Sequence, residues 1–217
     1  MEEIPVISSQ PWTSAPLVAL DLEGSGSHER DHQAIVEVAF IPLTQGRPNV
    51  QHAYETIVNP GRPIARRPWS SPGLTNDVLA CGAPLEAVRP HLAAHLDGKW
   101  IVGHNVGTDG RLLALRCPEL RPAGLIDTLR LARAVHARTR QLTLTALLAH
   151  YGLADEVTAL VPGRQPHRAL WDAVGAALLL GALIRDLPDA GRLTVTGLWH
   201  LAGMPYGDVG EQLPLPL

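Results

Sequence analysis

From Ala169 to Leu187 the chain reads as one long helix that is apolar on nearly all sides, with no charged residue between Val174 and Ile184. A helix with no polar face has to be enclosed by the rest of its fold. This apolar run is too short to span a bilayer, so it marks the centre of a water-soluble core. Near its start stands one carboxylate, Asp172. A carboxylate taken out of water needs a cation, a hydrogen-bonding partner or a metal. An Arg partner, a helix-cap role and metal ligation all fit Asp172 at this point.

What surrounds the helix follows from the apolar pattern. Pro16 to Asp21, Ala34 to Leu43 and His52 to Val58 read as three strands without an intervening helix, the third closed by a turn at Asn59-Pro60-Gly61. They predict an antiparallel meander. Leu85 to Leu96 carries apolar residues at a helical period. Trp100 to Val102 is a short strand, 109–116 a helix, Leu125-Ile126 a brief strand, and 127–138 and 142–151 are helical. Residues 153–166, with Pro162 and Gly163, read as a loop, and a short helix fits 195–202. Strands first, then alternating helices and strands, predict an α/β domain with a mixed central sheet flanked by helices. At 217 residues there is room for one such domain. Residues 1–15 read as a loose arm, 16–187 as the domain, and 188–217 as a C-terminal extension.

Composition excludes several classes. The formal charge is −3, so no basic surplus advertises a nucleic-acid coat. A site that collects carboxylates for divalent cations would lower the charge in just this way. Lys99 is the sole lysine, and Arg gathers at 121, 130, 133, 138 and 140 and at 62, 66 and 67, where phosphate contact is one reading and a solvated surface the other. Cys81 and Cys117 show no zinc-knuckle spacing. No basic-then-apolar leader opens the chain, so a cytoplasmic protein without a membrane segment is expected. His91 and His95 have the spacing of a zinc pair but lack the glutamate of a metalloprotease helix, and read as a helix face.

The acids concentrate at element ends. Asp21 and Glu23 are two apart on a strand and so aim to one side. Asp109 lies near a helix start, and His167 precedes Asp172 by five residues. Four carboxylates suit Mg²⁺ or Mn²⁺. Two such ions stabilise the attacking and leaving oxygens of phosphodiester hydrolysis, and a nearby His suits the removal of a proton from water.

Three segments bear a resemblance. They are Val18-Ala19-Leu20-Asp21-Leu22-Glu23-Gly24, then Gly103-His104-Asn105-Val106-Gly107-Thr108-Asp109, then His167-Arg168-Ala169-Leu170-Trp171-Asp172-Ala173. In order and spacing they are similar to the three motifs of the DEDDh, or DnaQ-like, exonucleases. That family includes the proofreading epsilon subunit of bacterial replicative DNA polymerase and exonuclease X. Ile57 to Gly61, Ile126 to Arg133 and Leu142 to Gly152 extend the likeness, which covers about residues 16–187.

The resemblance implies a ribonuclease H-like fold and 3′→5′ hydrolysis of single-stranded DNA or a frayed 3′ end, in proofreading or repair. RNA trimming, as by oligoribonuclease or ribonuclease T, is the alternative within the family. A weakly active clamp or polymerase accessory protein is the alternative outside it. In the implied scheme Asp21, Glu23, Asp109 and Asp172 hold two divalent cations, and His167 deprotonates water. Leu22, Gly24, Asn105 and Thr108 lie by the terminal nucleotide. Thr108 stands where the family usually has Phe, Leu22 where Thr is frequent, and Pro72-Gly73-Leu74 where His-Gly-Ile is common, so the nucleotide pocket departs from the usual pattern. The tail is similar to the Gln-Leu-x-Leu-x-Leu peptide by which bacterial proteins bind the sliding clamp; here Gln212, Leu213, Leu215 and Leu217 would make that contact. A DNA polymerase partner is implied on the same grounds.

Overall fold

The computed structural model describes residues 10–26, 29, 32–65, 70–136 and 141–207. The expected meander is present: β1 (Leu17–Gly24), β2 (Ile35–Thr44) and β4 (Tyr54–Asn59) pair antiparallel, with a two-residue β3 (Arg47–Pro48) beside β2. β6 (Trp100–Gly103) and β7 (Gly124–Asp127) continue the sheet in parallel from β1. With β5 (Ala83–Pro84) and β8 (Gly203–Met204) at its margins, the sheet runs β5-β4-β2-β1-β6-β7-β8.

The two faces are covered by different helices. On one lie α4 (Thr128–Val135), α5 (Leu144–His150), α6 (Ala154–Leu160), α7 (Ala169–Arg185) and α8 (Val195–Ala202). Their buried side chains share a core with Leu17, Ala19, Ala39 and Ile41. On the other lie α2 (Leu85–Leu96) and α3 (Gly107–Arg116), packed with Val18, Leu20, Val38 and Phe40. Because side chains alternate along a strand, this parity decides where the acids go. Leu17 and Ala19 face α7, so Asp21 and Glu23, two and four residues on, face it too. The apolar helix is buried along most of its length, as its composition demanded. Among the described residues no helix is long and apolar enough to cross a membrane.

Several expectations need correction. Part of the expected loose arm is held in place: Trp12 N–H donates to Leu193 O at 3.1 Å, and the Trp12 ring lies where a Cβ on Gly46 would sit. The stretch expected as a loop at 153–166 contains α6, whose Val157 is buried on the α7 side. Pro162 and Gly163 end that helix rather than prevent it. The core does not stop at Leu187, since Val195, Leu198 and Ala202 of α8 belong to it and β8 pairs with β7. A short α1 (Asn76–Ala80), capped by Thr75, was not expected. His91 stacks on Tyr54 and His95 packs on Phe40, which gives that helix face a structural use.

Candidate active site

The acids meet at the C-terminal end of β1, beyond its pairing with β6 and beside the N-terminus of α7. Asp21, Glu23 and Asp172 each offer a carboxylate oxygen within 4.8 Å of the others. Asp172 reaches this point from the first turn of α7, and β1 supplies the other two. Asp109 lies beside the trio: from the first turn of α3 its Oδ1 accepts the Leu22 N–H at 2.9 Å, clamping the peptide between Asp21 and Glu23. The helix can approach that closely because Gly103 has no side chain; a Cβ there would sit 2.8 Å from Val106 Cγ2 and 3.0 Å from Leu20 O.

Burial, aided at Asp21, Glu23 and Asp109 by neighbouring carboxylates, raises the proton affinity of these groups. Burial, then the charges of Asp109, Asp172 and Glu23, push Asp21 well above the usual carboxylate range. Burial takes Glu23 to about 7 against the opposing hydrogen bond from Ser71 Oγ. Asp109 rises to about 8, again chiefly by burial, with the Leu22 N–H opposing. Asp172 rises to about 6, with burial opposed by His167 and its N–H. Arg168 and His167 only partly offset this, at Glu23 and Asp172 respectively, so the metal-free group favours protonation and a bound cation would relieve it. The donor set is all carboxylate oxygen, which fits a hard divalent cation such as Mg²⁺ or Mn²⁺ better than zinc.

His167 is exposed at the mouth of the cluster, with a left-handed backbone (φ 63°) and its N–H directed at Asp172 Oδ1, 3.4 Å away. Asn105 is also left-handed (φ 62°). Its N–H is held by Asp127 Oδ1 at 2.8 Å, and its Nδ2 lies 3.3 Å from Thr108 Oγ1. Asp127 caps α4 through Leu129 N–H as well, so one buried carboxylate fixes both the α4 start and the Asn105 turn. His104 spans from Thr128 Oγ1 to Leu142 O, and its burial lowers its pKa to about 4. Leu22 is half-buried and Gly24 exposed.

Beside Gly24 opens a cavity of about 260 Å³, lined in part by Ser25, Ser71, Leu74, Thr75 and Asn76. Ser71 is the residue that sequence reasoning missed. Nothing marks it except its place just before Pro72-Gly73-Leu74. Glu37, buried on β2, forms an ion pair with Arg168. Of the arginine groups, Arg62 pairs with Glu29, and Arg121 folds onto Pro118 O and Leu120 O. Arg66, Arg67, Arg138, Arg140 and the tail residues Gln212, Leu213, Leu215 and Leu217 lie outside the described residues.

The comparisons with known proteins converge. The exonuclease family profile matches residues 18–180. A PolC-type DNA polymerase III of Thermotoga petrophila is 31% identical over 179 residues, covering 78% of this chain and 12% of its own length. A DNA polymerase III epsilon-like protein of Rhodobacter capsulatus is 27% identical over 84% of this chain and 25% of its own. This chain thus spans a quarter or less of the length of these two relatives. Among solved structures, exonuclease X in complex with 5′-overhanging duplex DNA superposes with a TM-score of 0.62 at 26% identity, covering 83% of this chain and 99% of that one. The nuclease domain of 3′hExo, a DEDDh family member bound to rAMP, gives a TM-score of 0.59 at 16% identity, over 82% of this chain and 95% of that one, a likeness of fold.

Proposed function

The chain belongs to the exonuclease family, in its DnaQ-like DEDDh branch with the ribonuclease H-like fold, and we propose that it removes nucleotides from the 3′ end of DNA as 5′-monophosphates. The enzyme is a nuclease of a family that acts on DNA or RNA. The observation that carries the finer reading is the convergence of Asp21, Glu23 and Asp172 within 4.8 Å, with Asp109 alongside and His167 at the mouth. The family is divalent-metal dependent, and in this reading the ions are Mg²⁺ or Mn²⁺. Asp21 would serve both ions, Glu23 and Asp172 would complete one site, and Asp109 would serve the other. Bound there, the ions supply charge stabilisation to the attacking and leaving oxygens.

The remaining work falls to the chain. His167 takes the proton from the attacking water, a role that suits an exposed imidazole at the edge of an acidic cluster. The hydrogen bond from Ser71 holds one Glu23 oxygen and so fixes the carboxylate beside the cluster. Leu22, Gly24, Asn105 and Thr108 border the terminal nucleotide, and the cavity beside Gly24 takes its base or sugar. The relatives that replicate DNA and the DNA-bound exonuclease X favour DNA as the substrate. Proofreading or repair in the cytoplasm, with recruitment by a sliding clamp through Gln212 to Leu217, completes the proposal.

The test uses 5′-labelled single-stranded DNA and, separately, RNA, with Mg²⁺ or Mn²⁺. A ladder shortening from the 3′ end, formed faster on DNA, is expected. A faster ladder on RNA would replace the DNA reading with RNA trimming, and no degradation of either would leave an accessory role. Deleting residues 212–217 is expected to abolish clamp binding and spare hydrolysis of short oligonucleotides; unchanged clamp binding would remove the tail from the account.

A further inference from the structure

His167 sits in a conformation that needs explaining. A left-handed backbone is unfavourable for a residue with a Cβ, and it persists where the surroundings over-determine it. Here they do so from both sides. Behind it, the His167 N–H points to Asp172. Ahead of it, Arg168 Nε lies 3.0 Å from both carboxylate oxygens of Glu37, and its Nη2 donates to Oε1 at 2.5 Å. The next residue is held by the same group, since Ala169 N–H donates to Glu37 Oε2 at 3.1 Å. Arg168 is the N-cap residue of α7 and makes no side-chain cap bond of its own. Its cap comes from β2, 131 residues earlier in the chain. Arg168 Nη1 also reaches toward Pro72 O at 3.5 Å, next to the Ser71 that donates to Glu23.

Glu37 is fully buried, and it is the register partner of Glu23 across β1 and β2. Both of its oxygens are occupied by Arg168 and Ala169. A buried ion pair adds little net stability over a well-packed apolar pair, so stability alone gives a weak reason for placing one beside an acidic cluster. Its geometric effect is specific: it fixes two consecutive residues at the point where the chain turns from His167 into α7.

We propose that Glu37 and Arg168 are a positioning pair that sets the place of the His167 ring at the mouth of the cluster. This rests on the reading of His167 as the proton acceptor. The pair acts through His167 and not through the cations. The planar fork matters, because a lysine ammonium cannot bridge both carboxylate oxygens and also hold its direction.

The experiment compares wild type with Arg168→Lys, His167→Ala and the double variant, measuring kcat and KM on a 5′-labelled oligonucleotide with Mn²⁺ and Mn²⁺ affinity by calorimetry. Arg168→Lys is expected to lower kcat about 10- to 100-fold, with KM and Mn²⁺ affinity unchanged. In the His167→Ala background the same change is expected to cost nothing further. Glu37→Gln keeps an acceptor for Ala169 N–H, preserves the shape of the site and should reproduce the kcat loss if Arg168→Lys folds poorly. Wild-type kcat in both variants, or an equal loss with and without His167, would overturn the proposal. Weakened Mn²⁺ binding would overturn it in favour of a role at the cation site. Wild-type kcat in His167→Ala alone would remove the proton-acceptor reading and this role with it, an outcome distinct from the others because that variant is measured by itself.

Discussion

Glu23 and Glu37 face each other across the same pair of strands, on the same side of the sheet, and the chain treats them in opposite ways. Glu37 is fully buried and neutralised: Arg168 closes on it and a helix N-terminus donates to it. Glu23 is half-buried, has one hydroxyl donor, and shares its surroundings with Asp21 and Asp172. Paired charge therefore serves the scaffold, while the carboxylates gathered beside it make no ion pair among the described residues and form the candidate site. Burial pushes the pKa of Glu23 up to about 7, and the charge of Glu37 still adds a smaller rise at Asp21, Glu23 and Asp172.

Removing each glutamate tests that division most sharply. Glu23→Ala is expected to cost several kcal/mol of transition-state stabilisation, about a thousandfold in single-turnover hydrolysis, while leaving the metal-free melting temperature unchanged or higher, because a like-charge repulsion is gone. Glu37→Ala is expected to leave Arg168 without its partner and to cost about 3 kcal/mol of stability, the lower end of what breaking a buried pair costs, since Arg168 is partly exposed. Calorimetry and a hydrolysis assay on both variants check this; the division fails if Glu23→Ala destabilises the fold more than Glu37→Ala does. Of comparable size, His167→Ala should slow hydrolysis by roughly 10²–10⁴-fold, with metal binding retained.

The smallest of these effects lies in the pH dependence of stability. Glu23, Asp109 and Asp172 have folded-state pKa values of about 7, 8 and 6, above the ordinary carboxylate range. The folded state therefore binds more protons than the unfolded one, and metal-free stability falls as pH rises toward 8. His104 works the other way: its folded pKa of about 4 lies below its ordinary 6.5, so it contributes stability above 6.5 that is lost as pH falls toward 4. Between pH 6.5 and 8 the His104 contribution is essentially complete, while the carboxylate contribution continues to fall. Melting temperature in a chelator should decline across that window, and Mn²⁺ at a hundredfold excess over its Kd should restore about 2.7 kcal/mol, or roughly 5–10 °C for a chain of this size. A flat profile with no Mn²⁺ response would mean that the cluster does not carry unbalanced charge.

How much of this could be read from the sequence depended on how local each feature is. The placement of Asp21 and Glu23 was legible because alternation along a strand is a backbone property. Asp172 was legible because one acid in an apolar helix has few explanations. The partner of Glu37 was not, because Arg168 is 131 positions away and only the tertiary fold brings them together. The Ser71 contact is hidden for the same reason, 48 positions from Glu23. Helix α6 was lost to the Pro and Gly that follow it, and β8 is two residues long, too short to leave a pattern. The left-handed turns at Asn105 and His167 leave no trace in residue type beyond an Asn and a His, the kind that tolerate that conformation best.

The central claim is that Asp21, Glu23 and Asp172 form one cation site. Calorimetric titration of Mn²⁺ into the wild-type protein and into Asp21→Asn, which keeps the shape of the side chain and removes its charge, tests it most directly. Saturable binding to wild type and its loss in the folded Asp21→Asn variant are the expected results. Binding by Asp21→Asn with wild-type affinity would contradict the account.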